Sequence, residues 1–425
     1  MTEEFLHYIW QYRLYKPDLF LISGEQVEVM HPGIHNSDSG PDFFNAKIRI
    51  GETIWAGNIE IHILSSDWNR HKHQQDLSYD NIILHVVWRS DTTIPRRDGS
   101  TIPTLELEDC YNENSWKNYL HFMASQQWIP CESMISNVDT FIRNMWLDRV
   151  LVERLQRKAL LVEHVLSITN NDWVQTFYRL LARNMGFKLN NQAFESLAQS
   201  LPYQFLAKHA DDLFQIEAMV FGQAGLLENS FDDDYPTRLK KEYGFLKAKF
   251  DLTPIDTHLW RFMRLHPGNF PTIRLAQFAA IIHHSNAVIS ELFSFTDAET
   301  YRKLFSAQAS EYWNMHYVFD KASSPKRKTL GNSSIDLLII NLVAPILLVF
   351  GRRKSDSAMT EKPLDILMQI KGEDNSIIRK WANLGLDVST AANTQALLEL
   401  KSNYCERKKC LDCQIGNQLL KIDEK

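Results

Sequence analysis

Two periodicities divide the chain. Through about the first 110 residues, short runs alternate apolar and polar side chains, as strands with one buried face require. The runs are "EQVEVMHPG", "FFNAKIRIG", "GNIEIHIL", "NIILHVVW" and "TLELED". Ahead of them an amphipathic helix is expected over about Glu3 to Tyr15, with Phe5, Ile9 and Trp10 as its apolar anchors. The segment "SSDWNRHKHQQDLSYD", between the third and fourth of these runs, is too long for a tight hairpin and has room for one or two helical turns after a Ser/Asp cap. A crossover there allows its flanking strands to pair in parallel.

From about Ser115 the spacing becomes helical, starting with Val138 to Ile168. There Trp146, Val150, Leu151, Leu155 and Leu160 suit an apolar face, and Arg149, Glu153, Arg154 and Arg157 suit the other. Breaks are expected at "PGNFP" (Pro267 to Pro271) and at "KASSPKRKTLGNSS". The most apolar run, Ile335 to Gly351, is interrupted by Asp336, Asn341 and Pro345 and is shorter than the roughly 20 residues of a membrane span, so it reads as a buried core helix. The expected class is α+β: a mixed-sheet domain over residues 1–130, an all-α domain over 131–400 and a cysteine-containing segment over 401–425.

Composition adds little: 425 residues, 44% hydrophobic and 23% charged, describe an ordinary globular chain. A net charge of -6 excludes a basic polyelectrolyte but leaves room for a local basic groove, with "SPKRK" (Ser324 to Lys328) and "GRRK" (Gly351 to Lys354) as candidate patches. The opening "MTEEFLHYIWQYRLYK" has no basic region ahead of an apolar one, so a cytoplasmic location is expected and a membrane partner is not.

Chemistry gathers in the strand-rich part. Seven of the fifteen histidines (His7, His31, His35, His62, His71, His73 and His85) fall in the first 85 residues. On a strand, Glu60 and His62 share one face while Ile59, Ile61 and Ile63 share the other. Antiparallel return of the chain after "GET" can bring Asp42 toward Glu60, and paired carboxylates suit Mg²⁺ or Mn²⁺. The next segment adds Asp67, His71, His73 and Asp76. An extended backbone would put His71 and His73 on one face, a helical one would not, and either can aim one imidazole at the carboxylates. His85, among apolar neighbours, reads as a hydrogen-bonded core residue. In "HPGIHNSDSGPD" the glycines and Ser37, Asp38 and Ser39 favour turns, leaving His31 and His35 to meet a phosphate or substrate.

Five cysteines, an odd number without an export signal, disfavour a disulfide framework. Cys405, Cys410 and Cys413 form a C-x4-C-x2-C triplet that can grip an iron–sulfur cluster or Zn²⁺ if Cys131, Cys110 or a histidine supplies the fourth ligand. Three plain thiols are the alternative. Lys408 and Lys409 are placed to lower the thiol pKa values.

The order helix, three strands, helix, strand, with Pro41-Asp42 and Glu60-Ile61-His62, resembles the PD-(D/E)xK nuclease superfamily. That resemblance implies a restriction-endonuclease-like sheet with Asp42 and Glu60 as metal ligands, and Glu3 or Glu4 as the helix-borne acid. His62 stands at the position of the superfamily's lysine and lacks that residue's persistent charge. Some nucleases resembling this superfamily also hold an iron–sulfur cluster with one distant cysteine and a C-terminal trio, although here Cys131 follows the sheet rather than preceding it. "FLHYIWQ", "GPDFFNAKI", "GNIEIH", "SSDW", "YDNIILHVVW" and "KKCLDCQIG" resemble, over nearly the whole chain, a bacterial family catalogued as domain of unknown function 2851, which implies kinship but no activity.

The leading expectation is a metal-dependent nuclease or phosphodiesterase using Asp42, Glu60, His62, His71 and His73, with nucleic acid as partner. Two alternatives stand beside it. One is a catalytically inactive nucleic-acid-binding or scaffold protein on the same fold. The other is a zinc hydrolase on an unrelated fold, with His62, His71 and His73 ligating the ion directly.

Overall fold

The fold, taken from a computed structural model, is described for residues 1–36, 38–284 and 292–422. Ser37 of the expected turn and residues 423–425 of the cysteine-containing segment lie outside the described residues. The chain forms two compact units, one of Met1–Arg143 with Ser402–Lys425 and one of Asn144–Lys401.

The first unit opens with α1 (Glu3–Gln11), whose Phe5, Ile9 and Trp10 are buried as the pattern predicts. Its strands are β1 (Leu19–Phe20), β2 (Gln26–His31), β3 (Ile34–His35), β4 (Phe43–Ile50), β5 (Thr53–Leu64), β6 (Ile82–Arg89) and β7 (Thr104–Glu106). They form one mixed sheet in the order β1-β2-β4-β5-β6-β7, with β3 added alongside β4. β4 and β5 are an antiparallel hairpin, whereas β5 and β6 pair in parallel, as the crossover between them allows. That crossover holds α2 (Asp67–Arg70) and two short 3₁₀ turns, His73–Gln75 and Leu77–Tyr79.

One irregularity places Asp42. Between the pairs Ala46–Gly57 and Phe43–Ile59, β4 advances three residues against two of β5, a bulge at which Asn45 has a φ of 56°. Without the extra residue, Asp42 would sit one step out of line with Glu60 and Ile61.

Both faces of β5 are covered. Ile59 and Ile61 are fully buried on one, and Glu60 and His62 are buried on the other. The crossover over the polar side is pinned by Ser65, whose hydroxyl accepts the N–H groups of Asp91 and Thr92 at 3.0 and 2.9 Å. After the sheet comes α3 (Glu113–Ala124), and the C-terminal helix Gln414–Leu420 returns to it: Asn118 donates to the Ile422 carbonyl at 3.0 Å.

The second unit is largely helical rather than all-α as expected, since His316–Val318 and Lys321–Ala322 pair as a short antiparallel hairpin. In Thr140–Ile168, Trp146, Val150, Leu151 and Leu155 are buried, but Leu160 is 63% exposed. The 3.6-residue repeat carries the buried stripe from Leu155 to Ala159, Val162 and Leu166 instead. Arg154 and Arg157 do not simply face water, since both pair with the buried Glu399. The apolar run extends into a continuous helix, Asn332–Lys354, with a π-helical turn at Ile339–Val343. By length and composition this helix is sufficient to cross a membrane, a correction to the shorter span expected, but 72% of its most apolar window is buried within the protein.

Gly57 is where β5 comes closest to the β6 entry. A Cβ there would lie 2.4 Å from Ile83 Cγ2 and 2.7 Å from the Asn81 carbonyl. Gly57→Ala is therefore expected to lower the stability of the sheet unit by about 2 kcal/mol, read as a reduced urea midpoint; an unchanged midpoint would show that β6 can shift freely.

Candidate metal centre

The polar face of β5 sets the centre. Glu60 and His62 project from it together, and His85 sits beside Glu60 in register on β6. The next two histidines arrive from the crossover. α2 ends before His71, and Lys72 then takes a left-handed φ of 63°, turning the chain so that the imidazoles of His71 and His73 meet. The convergence is thus achieved by neither a helix nor an extended strand.

One ring nitrogen each from His62, His71 and His73 lies within 4.8 Å of the other two. His62 Nε2 is 3.1 Å from His71 Nδ1 and 3.6 Å from Glu60 Oε1. His73 Nε2 is 3.1 Å from the same Glu60 oxygen, yet it is buried and not aligned for a hydrogen bond. A buried ring nitrogen close to a carboxylate but unbonded to it is what a shared cation between them would explain.

Asp42 stands behind this group. Its Oδ2 accepts the Ile61 N–H at 2.9 Å and lies 3.3 Å from His7 Nε2 of α1. Its own N–H donates to Glu60 Oε2 at 3.2 Å. Burial, reinforced by the charge of Asp42, pushes the Glu60 carboxyl up to about 9. Burial and the neighbouring His85, His73 and His71 rings hold His62 down to about 2, and burial lowers His85 to about 3 and lowers His73 too. Burial opposes protonation of His7, but the nearby Asp42 carboxylate, with Glu3 and Glu60, outweighs it and raises its pKa.

These environments define the chemistry. His62 and His73 are neutral imidazoles, the form that ligates metals, and His62 does not carry a lysine-like charge. His62 Nδ1 lies 2.8 Å from His85 Nε2. When Nδ1–H donates to His85, the Nε2 lone pair is directed to the centre, so His85 selects the ligating tautomer. Trp68 packs its ring against His73 and His85, with centroids 5.3 Å from each.

Other candidates fall elsewhere. Asp76 is exposed and accepts the Ser78 N–H at 2.9 Å, serving a local turn. Asp67 accepts the Leu64 N–H at 3.1 Å. His31 is exposed, and its Nδ1 accepts the Gly33 N–H at 3.1 Å. Of the two helix acids, Glu3 feels His7 and Asp42 electrostatically, whereas Glu4 is exposed. Cys131, Cys410 and Cys413 are all buried in the first unit, and Cys405 is half-buried. Burial and the Cys413 thiol push Cys410 up to about 12 despite Lys408, which corrects the expected lowering. Instead of activating a thiol, Lys408 Nζ donates to the carbonyls of Met123 and Ser125. No disulfide joins the described cysteines.

His85 is the hydrogen-bonded core residue that its apolar neighbours predict, with His62 as its partner, whereas no role for His7 was expected from the sequence. His7 sits one helical turn beyond Glu3, a spacing that places both on one face of α1 and was a readable signal. The left-handed turn at Lys72 left none.

With that geometry established, one comparison is decisive. The profile of the family described as "Protein of unknown function (DUF2851)" matches residues 3–376. The chain belongs to the DUF2851 family. The match contains the whole sheet and every residue of the imidazole centre, and it stops short of the cysteine triplet. No curated protein and no solved structure matches the chain significantly.

Two outcomes test this centre. Equilibrium dialysis against Zn²⁺ or Mn²⁺ should find one ion per chain, with affinity at least about tenfold lower for His73→Ala and for Glu60→Gln and unchanged for His31→Ala; equal affinity in all four proteins would overturn the assignment. The second outcome concerns acid. His85 is neutral when folded and titrates near its ordinary value when unfolded, so its contribution to stability is complete above about pH 6.5 and is lost as pH falls toward about 3. In metal-free protein, the unfolding free energy of wild type should therefore fall more steeply than that of His85→Leu, by about 1.4 kcal/mol per pH unit between roughly pH 6 and 4. Glu60 titrates in the opposite sense but acts alike in both proteins.

Proposed function

We propose that this chain is a metal-dependent hydrolase of phosphodiester bonds in nucleic acid, with one divalent transition-metal ion held by Glu60, His62, His71 and His73. The observation that carries the reading is the buried, unbonded His73 Nε2 beside Glu60, within a group of three converging imidazoles. A donor set so rich in nitrogen suits Zn²⁺ or Mn²⁺ better than Mg²⁺, which prefers oxygen. This moves the ion from the Asp42/Glu60 pair of the sequence expectation toward the histidines. When bound, such an ion polarises a phosphoryl oxygen and lowers the pKa of its water.

The chain's own groups supply the rest. Asp42, fixed by the Ile61 N–H, backs His7 and favours its imidazolium, so His7 is suited to protonate a leaving oxygen. Beside His73 lies a cavity of about 240 Å³ lined by Trp68, Tyr79, Arg96 and Ile102. Arg96 is half-buried there and makes no ion pair among the described residues, which favours an anionic substrate group. The order α1, β2, β4, β5, α2, β6, with a β4–β5 hairpin and parallel β5–β6, supports kinship with the PD-(D/E)xK arrangement. The second reading, a binding protein that has lost catalysis on this fold, is favoured by the neutral His62 at the lysine position.

Hydrolysis of bis(p-nitrophenyl) phosphate and of labelled oligonucleotides, with Mn²⁺ or Zn²⁺ supplied, separates the two. Metal-dependent cleavage is expected, with kcat reduced about 100-fold or more by Glu60→Gln and by His7→Asn, and with ion content retained in the His7 variant. Cleavage unaffected by Glu60→Gln would overturn the proposal. Tight oligonucleotide binding without cleavage under any metal would select the binding protein.

A further inference from the structure

The helical unit contains a buried cation with no counter-ion among the described residues. Arg274, on the helix Pro271–His284, is 8% exposed. Its guanidinium donates only to neutral groups: Gln277 Oε1 at 3.1 Å, Asn269 Oδ1 at 2.6 Å and Ser334 Oγ at 3.3 Å. Its Nε is buried without a partner, and the guanidinium carbon lies 4.5 Å from the ring centroid of Phe187. Among the described residues no carboxylate pairs with it. Burial lowers its pKa to about 10, which still leaves it charged at neutral pH.

An isolated buried charge costs several kcal/mol unless it is compensated. Arg274 lines a cavity of about 500 Å³, a size usual for small-molecule sites. The walls are largely apolar, with Met185, Leu189, Phe194, Leu265 and Leu337 among them. Lys188 is exposed on the same lining, and no ion pair holds it among the described residues. A neighbouring cavity of about 450 Å³ shares Phe187, Lys188 and Leu337. The combination is one fixed cation at depth, a second at the rim and hydrocarbon between them.

We propose that this cavity binds an amphipathic organic anion, a carboxylate or phosphate monoester with a short apolar body, its head group on Arg274 and its tail against the leucine and phenylalanine wall. The Nη1 group keeps one N–H beyond its bond to Gln277, and a guanidinium N–H donates equally well to a carboxylate or a phosphate oxygen. The apolar walls disfavour free inorganic phosphate, which would gain nothing from them. Nothing in this site involves the imidazole centre, so the two assignments stand or fall separately.

The probe is anilinonaphthalene sulfonate, an apolar anion whose fluorescence rises in dry pockets, titrated into the full-length protein and displaced by octanoate, octyl phosphate or octanol. Saturable one-site binding is expected, with displacement by octanoate or octyl phosphate at concentrations at least about tenfold below octanol. The more effective of the two anions identifies the head group. Arg274→Met should weaken probe binding about tenfold or more, and Lys188→Glu, at an exposed position that leaves folding undisturbed, should weaken it several-fold. Absence of saturable binding to wild type, displacement by octanol as effective as by the anions, or unchanged binding in Lys188→Glu together with a folded Arg274→Met would overturn the proposal. If Arg274→Met does not fold, the Lys188→Glu result and the octanol comparison decide.

Discussion

The sheet unit is organised around a costly act, the burial of a carboxyl group and several imidazoles on one face of its central strand. Water would solvate these groups at no penalty, and the interior must replace it. The replacement is local and specific. The Asp42 N–H caps one Glu60 oxygen, His85 holds His62, and Trp68 seals the flank. Several nitrogens are left over, among them His85 Nδ1, Trp68 Nε1 and His7 Nε2, and the ring nitrogen of His73 is the one that faces the second Glu60 oxygen at 3.1 Å. The bulge in β4 and the turn at Lys72 both make sense as devices that bring partners to this face.

The two units resolve buried charge differently. In the first, burial drives Glu60 toward its neutral acid and His62 toward its neutral imidazole, reinforced by Asp42 for the one and by the neighbouring imidazoles for the other. In the second, Arg274 stays cationic among amides, a hydroxyl and an aromatic face. Arginine tolerates this because its charge is delocalised and its pKa starts high; Lys158, bonded to Asn341 and Gln395, is pushed well below its usual value by burial and by the neighbouring Arg154.

Much of this was legible from periodicity. Alternation identified the strands, loop length allowed the parallel β5–β6 pairing, and residue parity put Glu60 with His62 opposite the isoleucines. What stayed hidden depended on single backbone angles or distant contacts. Asn45 and Lys72 adopt left-handed conformations, which asparagine tolerates and lysine rarely takes, and neither residue type by itself marks such a position. The apolar character of Leu160 points to the core, but the helical phase turns it outward and gives the inward place to Ala159. Of the acids that act on His7, Glu3 is one helical turn away, but Asp42 precedes β4 and Glu60 lies on β5, and no local pattern joins those two to it.

The sheet unit is built from two stretches of chain, with the helical unit's sequence running between them. Tyr8 of α1 hydrogen-bonds the Asn417 side chain at 3.1 Å, so the unit is sewn together across some 400 residues. The helical unit, by contrast, is continuous. On a ribosome it has all its parts before the sheet unit receives its last helix, and closing that long loop costs entropy only logarithmically in its length. Order of synthesis and order of completion are therefore inverted: the part made first is finished last, with its edge open in the meantime.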